Sequence, residues 1–183
     1  MEKPDWANCD EEELWQYVAW HLEGADIETV LVGGAVVAVY TEGLYRSGDL
    51  DLVAHHSDRQ RIGAVLEEIG FESTKSRYFQ HPDCSHLLLE FPPGPVELGN
   101  EFPVEPVKRV VEGREIHILS PTDCAKDRLA GYIHWGSRDL LDQAALVCQR
   151  QPARIDWDNL KRWCQNEGGS SQFKELEELV GRG

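Results

Sequence analysis

Positive charge is what this chain has least of. Eighteen lysines and arginines stand against 33 aspartates and glutamates, for a formal net charge of −15. Such a chain repels nucleic-acid polyanions unless its few basic residues gather in one place, which weighs weakly against a tRNA substrate. Long apolar runs are also missing. Nothing approaches the roughly 20 residues of a membrane span, and the polar, acidic start has no secretion-signal pattern. Cysteine is thinly spread: Cys9, Cys84, Cys124, Cys148 and Cys164 form no CxxC pair. A disulfide framework or structural zinc site is therefore not expected, and a reducing cytoplasm is the expected compartment. The seven histidines show no metal-ligand spacing and read as structural or surface residues. No internal repeat is visible.

What is present is concentrated early. Val30-Leu31-Val32 is a short apolar strand running into Gly33-Gly34, where a helix begins. Glycines at such a turn let backbone N–H groups approach a phosphate, and a helix N-terminus favours negative charge. Arg46-Ser47-Gly48 then leads into Asp49-Leu50-Asp51-Leu52-Val53. Aspartates at i and i+2 of a strand project from one face and repel each other unless a cation lies between them. Hard oxygen ligands of this kind suit Mg²⁺ shared with substrate phosphates. Together the parts describe a metal–nucleoside triphosphate site. Ser47 is a candidate for a phosphate or loop hydrogen bond, and Arg46 for the triphosphate, although plain turn chemistry fits Arg46 slightly better.

In order and residue type, Val32, Gly33, Gly34, Asp49 and Asp51 with Leu50 and Leu52 resemble the core motif of the nucleotidyltransferase superfamily, the DNA polymerase beta-like fold. The resemblance is closest to its AbiEii-like, toxin-like bacterial branch and covers roughly residues 10 to 150. Fourteen residues separate Gly34 from Asp49, at the long end of the family's spacing. The resemblance implies a two-metal Mg²⁺ site, an NTP substrate and a third carboxylate on a later strand. Glu90, in Leu87-Leu88-Leu89-Glu90-Phe91, is the better candidate, because an unpaired acid in an apolar strand is costly. Glu97 is the second. The resemblance also implies a lysine-bearing helix followed by Arg-Asp-x-x-Asp, matched by Lys126 and by Arg138-Asp139-Leu140-Leu141-Asp142. Asp139 and Asp142 share a helix face and are expected to order Lys126 against phosphate. Lys75 and Arg77 are weaker triphosphate candidates.

The expected architecture is α+β: a mixed β-sheet core with flanking helices over residues 1–119, followed by a C-terminal helical bundle over 120–183 packed on it. Asp10 caps a helix to Gly24, and Ile27 to Val32 is a strand. Ala35 to Tyr40 is a connecting helix, followed by a strand through Ala54. Ser57 to Gly70 is an amphipathic helix. Phe71 to Thr74 pairs with Tyr78 to Gln80, and His86 to Phe91 is a strand. A hairpin turns at Glu112-Gly113-Arg114. From Ser120 the periodicity becomes helical, near 122–132, 138–149, 156–166 and 171–180. The expected activity is Mg²⁺-dependent transfer of NMP from an NTP to an acceptor hydroxyl. The resemblance implies a protein or tRNA acceptor, a toxin–antitoxin or phage-defence setting, and an antitoxin partner. Two other readings stay open: a degenerate module that binds nucleotide or a partner without turnover, and an antitoxin-like structural partner that binds no nucleotide.

Overall fold

The computed structural model describes residues 1–101 and 103–181. Helix α1 (Glu11–Glu23) starts where the sequence places it. The Asp10 carboxylate accepts from the Glu13 backbone N–H while the Glu13 side chain reaches back to the Asp10 N–H, a reciprocal capping box. Strand β1 (Thr29–Val32) then runs straight into α2 (Gly33–Tyr40). The valines of α2 are poor helix formers, but nearly the whole helix is buried, and packing decides where propensity is weak.

Strand β2 (Asp49–Ala54) follows, then one 3-10 turn (His56–Asp58) and α3 (Arg59–Glu68). The amphipathic helix expected over 57–70 is thus a tight turn followed by a shorter helix. Short strands β3 (Glu72–Ser73) and β4 (Phe79–His81) pair antiparallel, and β4 turns into β5 (Cys84–Glu90). The predicted hairpin is β6 (Val107–Val111) and β7 (Arg114–Ile118). Four helices complete the chain: α4 (Pro121–Trp135), α5 (Arg138–Arg150), α6 (Trp157–Asn166) and α7 (Ser170–Leu179). Ser120 caps α4 by accepting from the Asp123 N–H.

The strands form one mixed sheet of seven in the order β3-β4-β5-β2-β1-β7-β6. The β1–β2 pair is antiparallel, whereas β1–β7 and β2–β5 are parallel. Along β2 burial alternates: Leu50, Leu52 and Ala54 are buried, Asp49, Asp51 and Val53 half-buried. Leu50 and Leu52 join Leu31, Leu87 and Leu89 in one apolar core with Trp15, Val18, Val36, Ile62 and Leu66 from α1 to α3. A second core gathers Leu129, Leu141, Leu160, Trp163, Phe173 and Leu176 from the four later helices. One sheet face is thus packed by helices, and the two aspartates occupy the other.

Candidate active site

The β1–α2 turn is shaped by the acids beside it. Gly33 has φ +75°, and a Cβ there would lie 2.5 Å from Oδ2 of Asp51. A Cβ on Gly34 would lie 2.8 Å from Ser47 Oγ and 3.4 Å from Tyr45 Oη. A side chain at Gly33 would strain the backbone and displace Asp51, and one at Gly34 would displace Ser47, which gives the glycine pair a steric reason. Val32 precedes the helix without a side-chain cap, so the first N–H groups of α2 are left for an anion. Because Val32 pairs with Asp51 across β1 and β2, that helix end lies directly beside the carboxylates.

Strand register brings in the third acid. In the parallel β2–β5 pair, Asp51 stands opposite Glu90 and Asp49 opposite Leu88. Cross-strand partners share a face, so Asp49, Asp51 and Glu90 form one cluster. The structure thereby joins the two aspartates to Glu90, while Glu97 is exposed in the segment after β5. Burial, then the charges of Asp49 and Glu90, push the Asp51 carboxyl from 3.8 up to about 6; Arg128 opposes that rise. Arg77 closes the cluster from outside, its Nε 2.8 Å from Glu90 Oε1, although its side chain remains 66% exposed.

The segment entering β2 is held from a distance. Ser47 Oγ donates to Asp49 Oδ1 at 3.3 Å, and its backbone N–H donates to Glu11 Oε1 at 2.6 Å. The other Glu11 oxygen meets Arg46 Nε at 3.3 Å. Arg46, a triphosphate candidate by sequence, is thus tied to Glu11. Glu11 is almost wholly buried in the first turn of α1, and sequence reasoning gave it no role. Its one legible signal is its place in the first turn of a helix capped by Asp10.

The expected arrangement of the second motif is corrected by the structure. Lys126 does not face Asp139 and Asp142; it is 1% exposed and pairs with Glu101 at 2.6 Å and Asp123 at 3.0 Å. Asp139 stands exposed in the first turn of α5, and Arg138 reaches Asp142 at 3.9 Å and Glu175 at 2.8 Å. Lys75 is exposed in the turn between β3 and β4. The cation of α4 whose field reaches Asp51 is Arg128, braced at Nε by Asp127 Oδ2 at 3.1 Å. It lies two residues past Lys126 in the same run.

The donor set suits magnesium. Three carboxylates converge on two adjacent strands, and the burial and mutual repulsion that raise the Asp51 carboxyl are what a hard divalent cation relieves. The adjoining helix end supplies N–H donors suited to phosphate.

No protein-family model and no curated protein matches the sequence. Solved structures do match by shape. A crystal structure of ANT(2")-Ia in complex with adenylyl-2"-tobramycin is 15% identical with a TM-score of 0.55, covering 86% of this chain and 97% of its own. An antigenic nucleotidyltransferase-like protein from Paracoccidioides brasiliensis is 15% identical with a TM-score of 0.61, covering 94% and 93%. The solution structure of the antibiotic-resistance factor ANT(2'')-Ia is 14% identical with a TM-score of 0.53, covering 96% and 100%. Identities this low speak to architecture alone, and the architecture is the nucleotidyltransferase fold.

Proposed function

We propose that the protein is a Mg²⁺-dependent nucleotidyltransferase that moves NMP from an NTP, ATP among them, to an acceptor hydroxyl. The observation that carries this reading is the β2–β5 register, with Asp51 opposite Glu90 and the Gly33 turn packed on Asp51. The N–H groups opening α2 bind the β- and γ-phosphates, and Ser47 orients Asp49. Asp49, Asp51 and Glu90 would hold Mg²⁺, which would offset the charge building on the attacking and leaving oxygens. The acceptor oxygen bonds to the α-phosphorus, the bond to the β-phosphate oxygen breaks, and pyrophosphate leaves. The hydroxyl proton passes to Glu90. Screening of phosphate charge, expected of Lys126, falls to Arg128, whose charge acts on Asp51 while Lys126 lies buried against Glu101 and Asp123.

The net charge of −15 favours a protein side chain or a cationic small molecule over tRNA as acceptor. The shape neighbour bound to an adenylylated tobramycin supports the small-molecule class. The motif's resemblance to toxin-like members supports a cytoplasmic toxin–antitoxin or phage-defence setting, with an antitoxin partner. A second reading, nucleotide binding without turnover, is favoured by the Arg77–Glu90 pair, which occupies the third acid.

The test is incubation with each of four α-labelled NTPs and Mg²⁺, offering tobramycin, tRNA and cell proteins in separate reactions beside the Asp49→Asn/Asp51→Asn variant. Label on an acceptor with wild type alone supports transfer and names base and acceptor class. NTP binding without label in any reaction selects the second reading, and no NTP binding refutes both.

A further inference from the structure

A second group of side chains on β5 matches a different class of metal. Cys9, just before α1, and Cys84, at the start of β5, are both buried, with their sulfurs 3.7 Å apart. His86 lies two residues along, its Nδ1 3.9 Å from the Cys84 sulfur. One atom from each of the three residues can be chosen so that all lie within 4.8 Å of one another.

These spacings follow from zinc chemistry. Two Zn–S bonds of about 2.3 Å at a tetrahedral angle put the sulfurs about 3.8 Å apart, and with Zn–N near 2.1 Å a sulfur and nitrogen about 3.6 Å apart. The observed 3.7 and 3.9 Å need adjustments of only a few tenths of an ångström. The ring is also oriented as a ligand. His86 Nε2 lies 2.9 Å from the Cys9 carbonyl oxygen, and a carbonyl only accepts. In the neutral ring the proton therefore sits on Nε2, leaving the Nδ1 lone pair on the side of the Cys84 thiol, with the backbone support typical of metal-bound histidine. Asp10 and Glu13 add negative charge beside Cys9.

We propose that Cys9, Cys84 and His86 form a binding site for a thiophilic divalent cation, Zn²⁺ in particular, with the exposed side of His86 leaving the fourth position to water. Binding replaces two S–H bonds with two metal–sulfur bonds and releases two protons to solvent; nothing is oxidised. Soft thiolate and imidazole donors set this site apart from the three hard carboxylates, for which excess Mg²⁺ competes. The ion joins the residue two before Glu11 to the strand that carries Glu90, cross-linking both supports of the acid cluster.

The test uses the full chain, reduced with a non-thiol reductant and kept in excess Mg²⁺. Zn²⁺ is titrated against a chromophoric chelator, and Co²⁺ serves as a spectroscopic probe. One equivalent of tightly held Zn²⁺, with sulfur-to-cobalt charge-transfer bands, is expected. His86→Gln, at an exposed position, weakens binding by more than the roughly 100-fold that loss of a supporting group costs. Cys84→Ser removes the thiolate bands, while Cys164→Ser and Asp49→Asn/Asp51→Asn leave both signals unchanged. The proposal is overturned if Zn²⁺ binds no tighter to wild type than to His86→Gln, or if binding is lost with the aspartates. A Cys9–Cys84 disulfide that persists in the reductant and blocks Zn²⁺ uptake also overturns it.

Discussion

Asp51→Asn should make the metal-free protein more stable while removing its capacity for transfer. Burial and the charges of Asp49 and Glu90 hold the Asp51 carboxyl at about 6, against 3.8 in an unfolded chain. That difference corresponds to about 3 kcal/mol against the charged form. The carboxylate is only half-buried and solvent screens part of the repulsion, so about 1–2 kcal/mol is the expected gain. The sign follows from proton counting. Between about pH 4 and 6 the folded protein holds a proton on Asp51 that the unfolded chain has released, so stability falls as pH rises through that window. Above about 6 the penalty is complete, and below about 4 it is absent. Urea unfolding with a chelator present should therefore place Asp51→Asn about 1–2 kcal/mol above wild type at pH 8 and level with it at pH 4. Mg²⁺ should reverse the order, adding about 2.7 kcal/mol to wild type at a hundred times Kd and little to the variant. A variant no more stable than wild type at pH 8, or equally favoured at both pH values, refutes the repulsion argument.

Four further substitutions have outcomes that follow from the geometry. Gly33→Ala should cost at least about 1–2 kcal/mol for the left-handed backbone alone, more from the 2.5 Å approach to Asp51, and abolish NTP binding. Gly63→Ala, on an open helix face, should by contrast stabilise by about 0.5–1 kcal/mol, and urea titration of both checks the pair. Arg77→Ala frees Glu90 from an exposed, solvent-screened ion pair, so Mg²⁺ should bind modestly tighter by calorimetry; weaker binding would assign Arg77 to the ligand instead. Lys126→Met should lower stability by about 2 kcal/mol or more, leaving Glu101 and Asp123 unpaired, and change the NTP Kd less than about threefold. An intact fold with a large loss of NTP affinity would restore the phosphate-screening role to Lys126.

Features whose cause lies within one turn or one strand were legible in the sequence. The Asp10 cap, the Ser120 cap, the alternation along β2 and the apolar setting of Glu90 each depend on neighbours in the chain. What was illegible depends on distant partners. A carboxylate at the start of a helix reads as dipole chemistry, so nothing local shows that Glu11 is buried against Ser47, 36 residues later. Lys126 looked available to phosphate because its acid Glu101 comes from the segment between β5 and β6. Cys84-x-His86 is too sparse a pattern to suggest a metal without Cys9, 75 residues earlier.

The glycine pair and the acid pair are one packing unit rather than two motifs. Gly33 lacks a Cβ because Asp51 occupies that space, and Gly34 because Ser47 does; Ser47 in turn donates to Asp49 and to Glu11. This explains why the long separation of Gly34 from Asp49 leaves the geometry intact. Pairing of Val32 with Asp51 fixes the register whatever lies between, and the additional length is taken up after α2, where Thr41 Oγ1 accepts from the Tyr45 N–H at 3.3 Å and Glu11 holds Arg46 and Ser47. Spacing in the sequence is thus a weak argument for a degenerate site. The Arg77–Glu90 pair is a stronger one, because it acts directly on the acid proposed to hold Mg²⁺, and the Mg²⁺ titration of Arg77→Ala measures how much it withholds.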